Sequence, residues 1–189
     1  MWLFKKQMPV ATAAIEVLRT VEPLPLRLRD RARPFGLQAG DAFELESLGL
    51  VHAVAVHAIE TSRFDRAGRD RLQDAFSRVY ADRMLRRRLT LNVFELRPPL
   101  EAATANHAMR SLTLTPHDRL DLSSLQHFLV SRLAAYSQGS LESMIETVLA
   151  YLEVPPQFDL MFSLAVFIAD ATEAVREHAD SLNERVYLV

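Results

Sequence analysis

Two histidines and a glutamate lie close together in the run GLVHAVAVHAIE, residues 49–60. Imidazole and carboxylate groups serve as metal ligands and as general bases, so His52, His57 and Glu60 are the first candidates for chemistry. In a helix, however, the two histidines are separated by about 140° around the axis, because each residue advances by about 100°. Helical metal pairs use i, i+3 or i, i+4 spacing, which places both ligands on one face. The pattern therefore argues against a metal ion shared by the two histidines.

The two histidines are expected to have different surroundings. His52 falls on an apolar side of the predicted helix, which favours a hydrogen-bonded core histidine. His57 falls with Glu46 and Glu60 on an apparent polar ridge, which favours a solvated side chain with a carboxylate neighbour. A ligand pocket centred on His52 is kept as an alternative, and it would make the protein a helical enzyme or a ligand sensor.

No cofactor, metal ion or catalytic residue is predicted from the motifs. The chain has no cysteine, which excludes disulfides, thiolate zinc sites and iron–sulfur clusters. It also lacks the Glu-x-x-His pattern of di-iron bundles and the glycine-rich loops that bind nucleotide phosphates. A Gly-x-Ser-x-Gly elbow is absent too, although Ser–His–Asp triads form from distant residues without a local signature. These patterns favour a protein that is not an enzyme.

Charge is distributed unevenly along the chain. Residues 1–97 hold 17 basic and 12 acidic side chains, whereas residues 98–189 hold 5 basic and 12 acidic ones. An arginine-rich helix is predicted within residues 63–89. Its C-terminal end carries Arg83, Arg86, Arg87 and Arg88. This asymmetry suits contact with a charged partner, or docking of one half of the chain on the other.

An acidic stripe is predicted on the last helix. Its carboxylates fall close to one line along the helix at about 100° per residue. They belong to Asp159, Asp170, Glu173 and Glu177. We hypothesise that this stripe pairs with the arginine cluster, inside one chain or between two copies of it. The alternative is that both groups lie on solvated helix surfaces.

The arginine-rich helix also suggests nucleic acid as a partner, with Phe76 or Tyr80 stacked on bases. Leu72, Phe76 and Val79 nevertheless form an apolar stripe on that helix, so we expect the aromatic rings in the core. Arg83 continues this stripe four residues after Val79, where a charged side chain needs a group to receive it. The formal net charge of −2 lacks the basic footprint of a nucleic-acid-binding domain. Another protein or a second copy of the chain is therefore preferred as the partner.

A framework of helices is predicted to position these side chains. Amphipathic and apolar patterns indicate a mainly α-helical bundle of about six helices, with the apolar stretch 160–169 of the C-terminal helix at its centre. Gly139 and Ser140 separate two helical patterns and predict an αα-hairpin, in which the serine caps the second helix. Partial alternation at 89–97 and 111–115 predicts a small two-stranded β element.

One domain, 1–189, suits a chain of this length. A short apolar arm at 1–8 and a long connector at 23–40, rich in proline and glycine, are predicted within it. The longest strongly apolar run is shorter than the roughly 20 residues that cross a bilayer, so no transmembrane segment is expected. Contact of Trp2–Phe4 with a membrane surface is not expected either. Without a secretory signal pattern, the expected location is the cytoplasm, and the arginine content suggests a bacterial source.

These features together predict an accessory, adaptor or assembly subunit without catalytic activity, which acts through protein–protein contacts. The first alternative is a nucleic-acid-binding helical subunit that uses the arginine-rich helix at 63–89. The second is the helical enzyme or ligand sensor with a pocket at His52.

Overall fold

The computed structural model describes residues 5–37, 41–86, 122–137 and 139–189. Within these residues the chain is mainly helical, which confirms the predicted fold class. Seven α-helices and two short strands make up this part of the chain. In order they are β1 (Lys6–Met8), α1 (Val10–Val21), α2 (Leu24–Ala32), α3 (Asp41–Glu60), α4 (Arg66–Arg86), α5 (Leu122–Tyr136), α6 (Leu141–Tyr151), α7 (Phe158–Arg185) and β2 (Val186–Leu188).

Helices α3 and α7 form the centre of the bundle. Helix α7 packs against α1, α2, α3 and α6, and α3 packs in addition against α2, α4, α5 and α6. Every residue of α3 from Leu45 to Val56 is buried, as expected for a helix that is apolar on all sides. Residues Ala42–Glu60 are long and apolar enough to cross a membrane by length and composition, but 83% of that apolar window is buried inside the protein. Packing against five neighbouring helices accounts for the apolar composition of α3.

The predicted connector at 23–40 is wrong over most of its described length. Leu24–Ala32 form α2, and a short 3₁₀ turn follows at Arg33–Phe35. Two prolines, Pro23 and Pro25, suggested irregular structure, but they lie at the N-cap and in the first turn of α2. Proline is compatible with these positions because the first turn of a helix needs no backbone N–H partner.

The predicted αα-hairpin is confirmed by α5 and α6, which pack against each other. The Ser140 hydroxyl accepts a hydrogen bond of 3.2 Å from the backbone N–H of Ser143 and so caps α6. Gly139, between the helices, has a φ of 120°, a region in which residues with a side chain are strained. The tight turn fixes the N-terminus of α6 beside the C-terminus of α5.

A two-stranded parallel sheet joins the two ends of the described chain. Lys6 pairs with Val186, and Met8 pairs with Leu188. The backbone pairing continues past the strands, where Val10 N–H donates to the Val189 carbonyl at 3.1 Å. The β element that we predicted at 89–97 and 111–115 lies outside the described residues.

Candidate functional site

His52 is a core residue of α3 that faces α4. Its side chain is 1% exposed, and Nε2 forms a 2.9 Å hydrogen bond with Ser77 Oγ. Its ring stacks on that of Phe76 at a centroid distance of 6.0 Å and lies 5.4 Å from that of Tyr80. Burial lowers the pKa of the imidazole from 6.5 to about 4, so it is neutral at neutral pH. The expected core environment is confirmed, and the ligand pocket at His52 stays a prediction.

His57 has different surroundings, as its spacing from His52 predicts. It is exposed, and its Nδ1 lies 3.9 Å from Glu60 Oε2, one turn further along α3. Within the described parts of the chain, no group of three or more histidine, aspartate or glutamate side chains is arranged to hold a metal ion. The two imidazoles therefore belong to separate environments.

The aromatic residues of α4 are buried. Phe76 and Tyr80 are each 0% exposed, and the Tyr80 hydroxyl donates a 3.0 Å hydrogen bond to the Leu48 carbonyl. Burial raises the pKa of the Tyr80 phenol. The expectation that these rings belong to the core is confirmed, and neither ring is accessible for stacking on a base.

The predicted pairing of the arginine cluster with the acidic stripe inside one chain is wrong for the described residues. Arg83 Nε donates to Glu22 Oε1 at 2.8 Å, which joins α4 to α1, and Arg86 Nε donates to Asp82 at 2.9 Å. Sequence periodicity had placed Arg83 on the apolar stripe of α4 and indicated that it needs a receiving group, and Glu22 is that group. Arg87 and Arg88 lie outside the described residues.

The acidic stripe of α7 has basic neighbours of its own. Asp170 accepts a hydrogen bond of 3.1 Å from Arg31 of α2, and Glu173 accepts one from Arg176 one turn away. The remaining members, Asp159 and Glu177, are exposed. Asp170 and Glu173 thus pair with Arg31 and Arg176, and not with the arginine cluster of α4 that the sequence suggested. Pairing between two copies of the chain stays a prediction.

A buried ion pair between α3 and α5 is the most polar feature of the core. The Arg132 guanidinium donates to Glu46 at 2.6 Å through Nη2 and at 2.8 and 3.0 Å through Nε, and the Tyr136 hydroxyl donates to the same carboxylate at 2.6 Å. The Glu46 and Arg132 side chains are only 1% and 8% exposed. The assignment of Glu46 to a polar ridge with His57 and Glu60 was therefore wrong.

Aromatic rings enclose the Arg132 guanidinium. Its Cζ lies 3.7 Å from the Tyr151 ring centroid and 4.7 Å from that of Phe128, close enough for cation–π attraction. Burial opposes the charge on Arg132, but the hydrogen bonds and negative charge of Glu46 outweigh it and raise its pKa. Burial, reinforced by the charge of Glu46, holds the pKa of Tyr136 well above its usual range. The guanidinium thus stays charged and the phenol neutral where both contact Glu46.

Gly49 of α3 provides the space for this arginine. A Cβ atom at position 49 would lie 2.9 Å from Arg132 Cγ and 3.3 Å from Phe128 Cε1. Arg132 cannot swing aside without losing its contacts with Glu46 and the aromatic rings. We expect Gly49→Ala to destabilise the protein by about 1–3 kcal/mol, the usual cost of overpacking, although alanine stabilises an open helical site by about 1 kcal/mol.

Urea denaturation would measure the effect of Gly49→Ala in the wild type and in the Arg132→Ala variant, in which residue 132 has no Cγ atom. The 2.9 Å contact with Cγ disappears in that background, whereas those of 3.1 Å with Cβ of residue 132 and 3.3 Å with Phe128 remain. Gly49→Ala should therefore cost less stability there than in the wild type. An equal loss of stability in both backgrounds would show that Gly49 serves another purpose.

Beside the ion pair, a cleft of about 570 Å³ opens between α3, α7 and the α5–α6 turn. This volume lies within the usual range of binding pockets. Tyr136 of the buried network lines it, and His57, Glu60 and Glu173 contribute its ionisable side chains. The remaining lining side chains are mostly small or apolar, and they include Ala53, Leu141, Met144, Ile168, Ala169 and Thr172. His52 does not line this cleft or a smaller one of about 190 Å³ between α2, α3 and α4.

An apolar surface continues along α7 from this cleft. Phe158 and Phe162 are 81% and 63% exposed, and their rings stack at a centroid distance of 6.4 Å. Ala169, two turns beyond Phe162 on the same side of the helix, is exposed and lines the cleft. We call the surface formed by Phe158, Phe162 and Ala169 the α7 apolar face. The opposite side of α7 packs in the core, so the stretch 160–169 is buried on one side only.

The sequence contains a signal for the ion pair that was not among the predictions above. Glu46 is the only acidic residue of the buried stretch from Leu45 to Val56, and Arg132 is the only arginine or lysine of α5. An isolated charge within an apolar helix is costly unless it is paired, so two such residues are candidates for each other. The exposure of Phe158 and Phe162 had no comparable signal.

Comparisons of this chain with protein-family models, with curated proteins and with solved structures find no significant match.

Proposed function

We propose that the protein is an accessory or adaptor subunit without catalytic activity, which binds another protein through the α7 apolar face. The exposed, stacked pair of Phe158 and Phe162 carries this proposal. Single exposed apolar side chains are common on protein surfaces and need no explanation. Two stacked phenylalanines next to an apolar cleft form a larger patch, of the kind that marks a contact site.

The chemistry of this patch suits a protein partner. Phenylalanine is enriched in protein interfaces, and energetically dominant residues cluster where a side chain enters a well-packed pocket. The α7 apolar face supplies aromatic side chains, and the adjoining cleft supplies a pocket for side chains of the partner. The rigid bundle beneath it holds both in place, because α7 packs against four other helices. Little reorganisation would therefore be needed on binding.

We expect Phe162→Ser to reduce the amount of copurifying partner about tenfold or more, since it removes a central aromatic contact. The test is affinity purification of the tagged 189-residue chain from its own host, with quantification of any copurifying protein. Val130→Ser is the matched control, because Val130 of α5 is 64% exposed and Phe162 is 63% exposed. Both variants should keep the unfolding temperature of the wild type, since surface substitutions usually change stability by less than about 0.5 kcal/mol.

Two results would contradict the proposal. One is a copurifying protein that stays at the same level in wild type and Phe162→Ser. The other is a wild-type chain that is recovered from its host as a monomer with no bound protein.

A further inference from the structure

We infer that the partner presents a basic amphipathic helix, which lies along the α7 apolar face and places a side chain in the adjoining cleft. This inference rests on the proposed function and names the chemistry of the partner. It follows from two properties of the surface: its elongated apolar shape and its acidic surroundings.

The α7 apolar face and the adjoining cleft together have the length of a helix-binding site. From Phe158 to Glu173 they extend over 16 residues of α7, which corresponds to roughly 23 Å at about 1.5 Å per residue. One end presents the two exposed phenylalanine rings, and the other end opens into the cleft of about 570 Å³. An amphipathic helix of about four turns covers this length with apolar anchors at i, i+3, i+4 and i+7. Residues of the cleft such as Met144 and Ile168 would contact its last anchor.

The surroundings of this face and cleft are acidic. Asp159 follows Phe158 directly, and Glu173 and Glu60 lie on the walls of the cleft. The other two carboxylates of the acidic stripe, on Asp170 and Glu177, are also exposed. Arg31 and Arg176 contact Asp170 and Glu173 respectively, so carboxylates outnumber guanidinium groups by five to two in this set. Lysine or arginine beside the apolar anchors of a partner would complement this excess.

The same charges argue against other occupants. Antiparallel packing of two α7 apolar faces would bring two acidic surfaces together, and like charges in an interface are unfavourable. Nucleic acid and anionic lipid surfaces carry negative phosphates, which these carboxylates would repel. A basic amphipathic helix is the occupant that satisfies both the apolar surface and the charge.

A fluorescein-labelled 18-residue peptide of leucine and lysine in an amphipathic pattern is the probe that tests the inference. Binding to the full chain would be followed by fluorescence anisotropy, beside a peptide of the same composition in scrambled order and a leucine/glutamate peptide of the same pattern. We expect the affinity of the scrambled peptide to be lower by about tenfold or more, because this peptide has no continuous apolar side. The glutamate peptide should not bind, and the affinity of the lysine peptide should fall as salt is raised.

Variants of the protein locate the binding site. Phe162→Ser should weaken binding of the lysine peptide about tenfold at low and at high salt, whereas Val130→Ser should not. Glu60→Gln/Glu173→Gln should weaken it mainly at low salt and so reduce the salt dependence. Asp70→Asn/Asp74→Asn is the matched control, because it removes two exposed carboxylates from α4, which does not line the cleft.

The outcomes separate this inference from the proposed function. If the lysine peptide does not bind, or if it binds equally well to wild type and Phe162→Ser, the inference of a basic helix is overturned. The proposed function still stands in that case if Phe162→Ser loses the copurifying protein. If the wild-type chain is a dimer and Phe162→Ser is a monomer in sedimentation, the occupant is a second copy and the inference is overturned. If Phe162→Ser keeps its copurifying protein, the proposed function fails, whatever the peptide does.

Discussion

Arg132→Met is expected to lower the free energy of unfolding by about 3–5 kcal/mol, the usual cost of breaking a buried ion pair from one side. The substitution preserves much of the apolar stem of the side chain but removes the guanidinium that donates to both oxygens of Glu46. The carboxylate then stays buried with the Tyr136 hydroxyl as its remaining donor among the groups described. Its charge must either be kept without compensation or be neutralised by taking up a proton.

A double-mutant cycle distinguishes the charge effect from the loss of packing. Glu46→Gln alone leaves the guanidinium between Phe128 and Tyr151 without its anion, and it should also be destabilising. Glu46→Gln/Arg132→Met removes both charges, so we expect it to be more stable than Arg132→Met alone. Arg83→Met is the matched control, since the Arg83 side chain is 51% exposed and exposed ion pairs contribute about 1 kcal/mol or less.

Urea denaturation of the four variants and the wild type would measure these differences, provided that the slope against urea is unchanged. If Arg132→Met costs no more than Arg83→Met, the buried pair does not contribute as its geometry indicates. If the double variant is less stable than Arg132→Met, packing and not charge is the dominant contribution of Arg132.

This ion pair also supports the proposed binding site. It connects α3 to α5 and, through the Tyr151 ring, to α6. Tyr136 belongs both to the network and to the lining of the cleft. A buried charged network of this kind favours one arrangement of the helices that it joins, because any other arrangement leaves a polar group unpaired. The position of the cleft wall thus depends on Glu46 and Arg132, which do not line the cleft themselves.

Much of the fold followed from local patterns in the sequence. Gly139 and Ser140 indicated the α5–α6 turn because a residue with positive φ and a hydroxyl N-cap are local requirements. The prolines at 23 and 25 wrongly predicted a connector, because proline is equally typical of a connector and of a first helical turn. The pairing of β1 with β2 joins residues at opposite ends of the chain, and no local pattern specifies such a contact.

The candidate site was harder to predict, because it depends on which surfaces stay uncovered. The sequence shows that α7 is apolar on several sides near Phe162, and this pattern is typical of a central helix. It does not show how many neighbours pack around α7, and at Phe158 and Phe162 the described neighbours leave the rings exposed. Arg83 illustrates the opposite case, since its position on an apolar stripe correctly indicated a receiving group but could not identify Glu22.

The stability of the protein is expected to fall by about 3 kcal/mol between pH 6.5 and pH 4 through the titration of His52 alone. In the unfolded chain this imidazole has its ordinary pKa of 6.5 and takes up a proton as the pH falls through that value. In the folded protein burial lowers the pKa to about 4, so the imidazole stays neutral until the pH is lower still. Between these two pKa values the unfolded state binds more protons than the folded state. Each unit by which the pH falls therefore lowers the free energy of unfolding by about 1.4 kcal/mol.

The difference in unfolding free energy between wild type and His52→Gln isolates this contribution, because the other titrating groups cancel. The difference should be constant above about pH 7 and should then change in favour of the variant as the pH falls toward 4. His57→Gln, which removes an exposed histidine of the same helix, is the matched control. An NMR titration of the His52 ring provides a second measurement, with an expected midpoint near pH 4. A midpoint at 6.5 or above would contradict the prediction, since it would mean that the contacts with Ser77, Phe76 and Tyr80 do not keep the imidazole away from water.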